Sequence, residues 1–411
     1  RLVGSEMCIR DRFNSIWHNR KGNSQVVANR TRWLTSQRPA SLVLFSGNSW
    51  IAGASAMLAA MNFLMRQLAA VLLVCAFGAG PAGAADYRLR LHHTLPPVAP
   101  AHTRMLVPWA RQVEADTGGR LVIDVYPAGQ LGGQSPQLMD QARDGVVDIV
   151  WALTGATPGR FPRIEVFEMP FLNAGPVVMN LALYDFVRRH PEEFAEYRLI
   201  AIFVHAGQAL HSRVPVRLAS DLAGMKLRIP SRVSGWMVEA MGAVPLGAPL
   251  SKTPELLSKG VVDGAFLPFE VVPAVKVDEL VNYHIVLDNP RSDRFNTQVF
   301  VIAMNPDSYD RLPEDIQAAI DANAGEDTAR WLGELWIVNE APGLELAAET
   351  GQILELPPAE VARLRAEVEQ PVLDRWFEVA GRKGLNGPAL LAEARALIDA
   401  RLAEAAAQGA N

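Results

Sequence analysis

Cysteine is almost missing from this chain. Its 411 residues hold two, Cys8 and Cys75, and Cys75 falls inside a stretch, "MNFLMRQLAAVLLVCAFGAGPAGAADY", that has the layout of a secretory signal. Arg66 stands near its start, an apolar run covers Leu68 to Phe77, and the small residues Ala82, Gly83 and Ala84 precede a polar beginning. Cleavage after Ala84 or Ala85 would leave neither thiol, so no disulfide and no cysteine nucleophile is expected, and stability must come from the core. Bulky Val74 before Cys75 argues against a lipid-anchored cysteine. Long apolar runs are lacking too: Leu68–Phe77 is 10 residues, where a membrane span needs about 20. With 61–84 read as the signal peptide and Met61 as the start, residues 1–60 are expected to be a non-native or untranslated leader, and 1–12, "RLVGSEMCIRDR", resemble a translated sequencing adapter.

Catalytic signatures are scarce as well. There is no His-Glu-x-x-His, no Gly-x-Ser-x-Gly elbow and no phosphate loop. His92 and His93 are adjacent, so in a strand they face opposite sides and do not share a metal. No cofactor and no metal is expected. Positive charge is the minority sign: from Ala85 onward 30 basic residues face 42 acidic ones, a balance that argues against nucleic acid as a partner. An acidic exported protein that binds an anion must concentrate its positive charge in one place.

What is present is a repeat. "SPQLMDQARDGVVDIVW" (Ser135–Trp151) and "TPELLSKGVVDGAFLP" (Thr253–Pro268) share one grammar. A hydroxyl residue suited to cap a helix is followed by proline at the first helical position. A short helix then stops at Gly145 or Gly260 and passes through Val-Val-Asp into an apolar strand. Asp148 and Asp263 sit at matching places, which reads as a repeated hydrogen-bonding role at strand entry rather than acid/base chemistry. Around these units "YRLRLHHTL", "RLVIDVYPAG", "LIAIFVHAG", "MKLRIP" and "QVFVIAMN" read as strands, and "HTRMLVPWARQVEADTGG" has helical periodicity. Beyond "LPEDIQAAIDANAGEDTARWLGELWIVNEAP" the chain is mainly helical, with Pro342-Gly343 expected to kink or interrupt the helix there. The pattern describes two α/β lobes, one around each repeat.

In open α/β sheets ligands sit beyond the carboxyl ends of strands. Arg228, closing "LAGMKLRIPSR", occupies such an end, although alternation along Met225–Ile229 by itself describes only a half-solvated strand. Other strand ends supply His93 and Thr94, the stretch Trp151–Thr154, and Phe266, Leu267, Phe269 and Glu270. Together they offer one fixed cation among aromatic and apolar walls. A guanidinium suits a carboxylate because its planar fork donates two parallel hydrogen bonds.

The residues "LGGQSPQLMDQARDGVVDIVW", "DLAGMKLRIP" and "GVVDGAFLPFEV" together resemble one family: the exported solute-binding proteins of tripartite ATP-independent periplasmic (TRAP) transporters, of the dicarboxylate-binding-protein (DctP) type. The likeness runs from about Asp86 to Trp376. It implies an α/β, two-lobed periplasmic-binding-protein-like fold with a hinge and a long interlobe helix, with lobe I at 85-205 and 294-335 and lobe II at 206-293 and 336-411 including the C-terminal helices. Hinges are expected near Val204–Gly207 and Asp293–Asn296. The likeness also implies that Arg228 pairs with a ligand carboxylate, and that the protein captures a small organic acid in the periplasm and delivers it to a small and a large integral-membrane subunit. In the branch that takes up sialic acid, polar residues stand where this chain has Leu153, Leu267 and Gln208, which favours a smaller or more apolar carboxylate against Trp151, Phe266 and Phe269. A monomer with no enzymatic activity is expected; the alternatives are a periplasmic ligand-sensing module and a periplasmic hydrolase or lyase.

Overall fold

A computed structural model describes residues 85–289 and 292–409; the leader, the signal peptide and both cysteines lie outside the described residues. Eleven strands are described: β1 Tyr87–His92, β2 Leu121–Tyr126, β3 Ile149–Leu153, β4 Arg198–Val204, β5 Ala209–Ser212, β6 Lys226–Ile229, β7 Val244–Gly247, β8 Gly264–Leu267, β9 Tyr283–Leu287, β10 Val299–Met304 and β11 Gln352–Leu356. They form two sheets, ordered β2-β1-β3-β10-β4 and β11-β9-β5-β8-β6-β7. In the first sheet β1 runs parallel to β2 and β3, and β10 lies antiparallel to β3. In the second, β6 runs parallel to β7 and β8, and β5 lies antiparallel to β8. Each sheet thus holds a parallel three-strand unit followed by one antiparallel strand, beyond which β4 completes the first sheet and β9 and β11 the second. The antiparallel strand of each lobe is reached by crossing from the other, through 205–208 into β5 and through a segment that includes 292–298 into β10.

The repeat supplies the same joint in both lobes. Asp148 Oδ2 accepts the backbone N–H of Arg90 at 2.8 Å, and Asp263 Oδ2 accepts that of Lys226 at 2.8 Å, so each aspartate ties the start of its strand to the parallel neighbour. Gly145 and Gly260 both take left-handed backbone, with φ of 69° and 65°. The expected hydroxyl caps do not form. Ser135 Oγ lies 3.0 Å from Thr94 Oγ1 instead, and Thr253 is itself the first residue of the helix Thr253–Ser258.

The helix Glu326–Thr350 runs unbroken through Pro342, contrary to the expected interruption. Packing explains this. A Cβ at Gly333 would stand 2.5 Å from Val177 Cα in the first lobe, and one at Gly343 would stand 2.0 Å from the Phe269 carbonyl oxygen in the second. Glycine at both positions lets one helix lie against both lobes, and tertiary contact offsets the hydrogen bond lost to proline. The stretch 336-411 does not stay with the second lobe. The helix Pro358–Arg382 packs on Arg232–Ala240 of that lobe, whereas the last helix, Gly387–Gly409, returns to the first lobe and packs on Pro176–Arg189. There Arg401 pairs with Asp185 at 2.8 Å and Glu393 with His190 at 2.9 Å. Among the described residues no helix is long and apolar enough to cross a membrane.

Candidate ligand-binding site

The carboxyl ends of β1, β3, β6, β7 and β8 converge with the crossing segments on one cavity of about 490 Å³ between the lobes. Seven of the ten residues expected from the sequence line it: Thr94, Trp151, Gln208, Arg228, Phe266, Leu267 and Glu270. The other three do not. His93 is fully buried behind the wall, with Nε2 3.0 Å from His102 Nδ1 and its ring edge-on to Trp151. Burial and the neighbouring His102 push it down to about 3, so it is neutral. Thr154 donates its hydroxyl to the Val299 carbonyl at 3.0 Å, an internal tie between the first-lobe strand ends. Phe269 lies under the Arg294 guanidinium, 4.9 Å from ring centre to Cζ, and buttresses the crossing rather than the cavity.

Arg228 is not the half-solvated residue that alternation describes, for it is only 3 % exposed. Its Nε donates to the Ala248 carbonyl at 2.9 Å and its Nη1 to the Phe266 carbonyl at 3.2 Å. The two acceptors come from chain on either side of β6, so the guanidinium is clamped in place by backbone. No carboxylate among the described residues pairs with it, and burial alone pushes it down to about 9. It therefore stays charged at neutral pH without an internal counter-charge. Such a group is costly to bury and gains most from an incoming anion.

The walls are aromatic. Trp151 stacks on Phe300 with ring centres 5.0 Å apart and planes 7° from parallel, and Phe203 continues the stack from Phe300 to Trp336 of the long helix. Leu153 and Leu267 add aliphatic surface. Glu270 closes one side; burial, followed by the nearby Glu340 carboxylate, pushes its carboxyl well above the usual range. His205 is neutral, pushed down to about 3 by burial. Trp151 Nε1, Trp336 Nε1, His205 Nε2, Gln298 Oε1 and Glu270 Oε2 are buried polar atoms on lining side chains without a hydrogen-bond partner among the described residues.

The sequence reading missed His205, Gln298, Phe300, Trp336 and Arg232, all of which line the cavity. One signal was available. Gln208 directly precedes β5 and Gln298 directly precedes β10, so the duplication extends to the crossing strands, beyond the segment whose likeness is visible in the letters. Trp336 is reached only because the long helix lies across both lobes.

The sequence profile of the bacterial extracellular solute-binding proteins, family 7 (DctP), matches residues 91–379. The chain belongs to that family. A TRAP solute-binding protein from Rhodoferax ferrireducens, solved with copurified benzoate, is 38% identical with a TM-score of 0.75, covering 77% of this chain and 99% of its own. A marine metagenome TRAP solute-binding protein specific for aromatic acid ligands, solved with metahydroxyphenylacetate, is 37% identical with the same TM-score of 0.75 and the same coverage of 77% and 99%. A Comamonas testosteroni protein named outer membrane transporter protein TsaT is 26% identical over 331 residues, 80% of this chain and 96% of the relative. The two solved structures are TRAP solute-binding proteins, and the two-lobed architecture of this chain is like theirs.

Proposed function

We propose that this solute-binding protein captures a small aromatic monocarboxylate between its lobes, with the carboxylate on Arg228 and the ring against Trp151, Phe266 and Phe300, and releases it unaltered. The carrying observation is a buried guanidinium held by two carbonyls, without a carboxylate partner among the described residues, in a cavity of about 490 Å³ with aromatic walls. The aromatic acids held by the two similar structures support the same class. Capture follows from physics the site already contains: closure excludes water, the ion pair strengthens in the lower dielectric, and only the ligand's greater affinity for the closed form drives the lobes together. Burial disfavours a negative charge on Glu270, which would otherwise oppose the anion. Export through the segment 61–84, a monomeric state and delivery to a small and a large integral-membrane subunit complete the reading; uptake of labelled benzoate into vesicles carrying those subunits, dependent on added protein, tests delivery.

Calorimetric titration with benzoate and with benzamide tests capture. Benzoate is expected to bind and its neutral amide to bind at least a hundredfold more weakly. Equal affinities would overturn the reading, and so would conversion of the bound acid to a product.

A further inference from the structure

We infer that Glu165 sets the charge selectivity of the cleft, admitting acids with one carboxylate and rejecting those with two, because it occupies Arg232, the second cation on the cavity wall; this rests on the capture reading above. Arg228 and Arg232 are the two cations that line the cavity among the described residues. They stand four residues apart but in opposite electrostatic states. Arg228 has only backbone carbonyls. Arg232 donates Nη2 to Glu165 Oε2 at 2.5 Å, and its Cζ lies 5.3 Å from the Trp236 ring centre, so its charge is answered by a carboxylate and its face is covered, although its Nε has no hydrogen-bond partner among the described residues.

Glu165 is itself held. Its Oε1 faces the Gly159 N–H at 3.4 Å, and its side chain is 7 % exposed. Glu168, one turn on, sits fully buried and takes the Val299 N–H at 3.2 Å. A second ligand carboxylate reaching toward Arg232 would meet the like charge of the Glu165 carboxylate already paired with that guanidinium and would lose its hydration against it. A single carboxylate on Arg228 encounters no such competitor. Because Glu165 belongs to the first lobe and Arg232 to the second, the pair also ties the lobes together, and that purely structural role makes a different prediction: loss of the tie weakens every acid alike.

The test titrates the full exported chain, unsubstituted and as Glu165→Gln, with benzoate and with benzene-1,4-dicarboxylate. Unsubstituted protein is expected to prefer benzoate by at least a hundredfold. Glu165→Gln is expected to shift the affinity ratio at least tenfold toward the dicarboxylate, Glu165→Asp to keep the ratio within threefold of the original, and Glu165→Gln with Arg232→Gln to abolish the gain. Equal weakening of both acids in Glu165→Gln, or comparable binding of both by the unsubstituted protein, would overturn the inference; the second outcome needs no variant to fold. Benzoate binding with an unchanged ratio sinks the selectivity role alone, whereas failure of benzoate to bind the unsubstituted protein sinks the capture reading and the inference with it.

Discussion

Two arginines are buried equally deeply in the second lobe and its crossing, and they are used in opposite ways. Arg294, 4 % exposed, gives Nη2 to Glu340 Oε2 at 2.6 Å and also pairs with Asp293. Burial works to lower its pKa, but Glu340 and Asp293 together outweigh burial and hold it above the ordinary value. Glu340 in turn accepts the backbone N–H groups of Phe269 and Glu270 at 3.0 and 3.3 Å, so this one carboxylate fastens the crossing, the long helix and the end of β8. Arg228, 3 % exposed, has carbonyls and no counter-charge among the described residues, and burial pulls it down to about 9. Burial alone therefore does not distinguish a structural arginine from a ligand-binding one. The partner list does: a guanidinium whose charge is already answered stabilises the fold, and one whose orientation is fixed but whose charge is unanswered is prepared for a ligand.

The largest effect expected from this contrast is on the structural side. Glu340→Ala leaves Arg294 with only the more exposed Asp293 and frees two backbone donors, and should cost about 3–5 kcal/mol of stability in denaturant unfolding; a loss under 1 kcal/mol would erase the distinction between the two arginines. Next comes Arg228→Lys, which replaces a fork by a point charge and should weaken benzoate binding by about 2–5 kcal/mol while the ligand-free protein keeps its melting temperature. Arg228→Met should bind no acid yet melt at the same temperature or higher, since it removes an uncompensated buried charge.

A third effect sharpens the comparison on the carboxylate side. Burial, with the neighbouring Glu165 charge adding to it, pushes Glu168 up to about 8 from 4.5. A carboxyl whose folded value is raised binds more protons in the folded than in the unfolded state between those two values. Its contribution is therefore complete below about 4.5 and is lost as pH rises through about 8. Thermal melts of unsubstituted protein and Glu168→Gln across that window should diverge by on the order of 4–5 kcal/mol, the variant losing less on going to high pH; parallel melts would place Glu168 outside the folding linkage. The smallest effect concerns the polar atoms left on the aromatic walls. A ring hydroxyl that reaches Trp151 Nε1, Trp336 Nε1 or Gln298 Oε1 should improve binding over benzoate by about 1 kcal/mol in calorimetry; no gain for any hydroxyl position would mean that those atoms are satisfied by solvent instead.

Much of this architecture was legible in the letters because it was written twice. Proline after a hydroxyl residue, a stop at Gly145 or Gly260, and the Val-Val-Asp joint mark equivalent helix-to-strand units, and local backbone preference is enough to specify them. The same pattern identified Arg228, Trp151, Leu267 and Glu270 as strand-end residues, since a strand end is a property of the local sequence. Depth was not legible. His93, Thr154 and Phe269 occupy strand ends like the others, yet remote partners, namely His102, the Val299 carbonyl and Arg294, draw them behind the wall. His205, Gln298, Phe300 and Trp336 reach the cavity from the crossings, β10 and the long helix, which no local pattern joins to β6. By itself the sequence determined the two lobes, the sign of the binding group and the strand ends that could carry it, because those follow from periodicity and turn chemistry. Only the tertiary structure decided that Arg228 is buried without a counter-charge among the described residues while Arg232 and Arg294 are answered by Glu165 and Glu340, because pairing depends on distances between segments far apart in the chain.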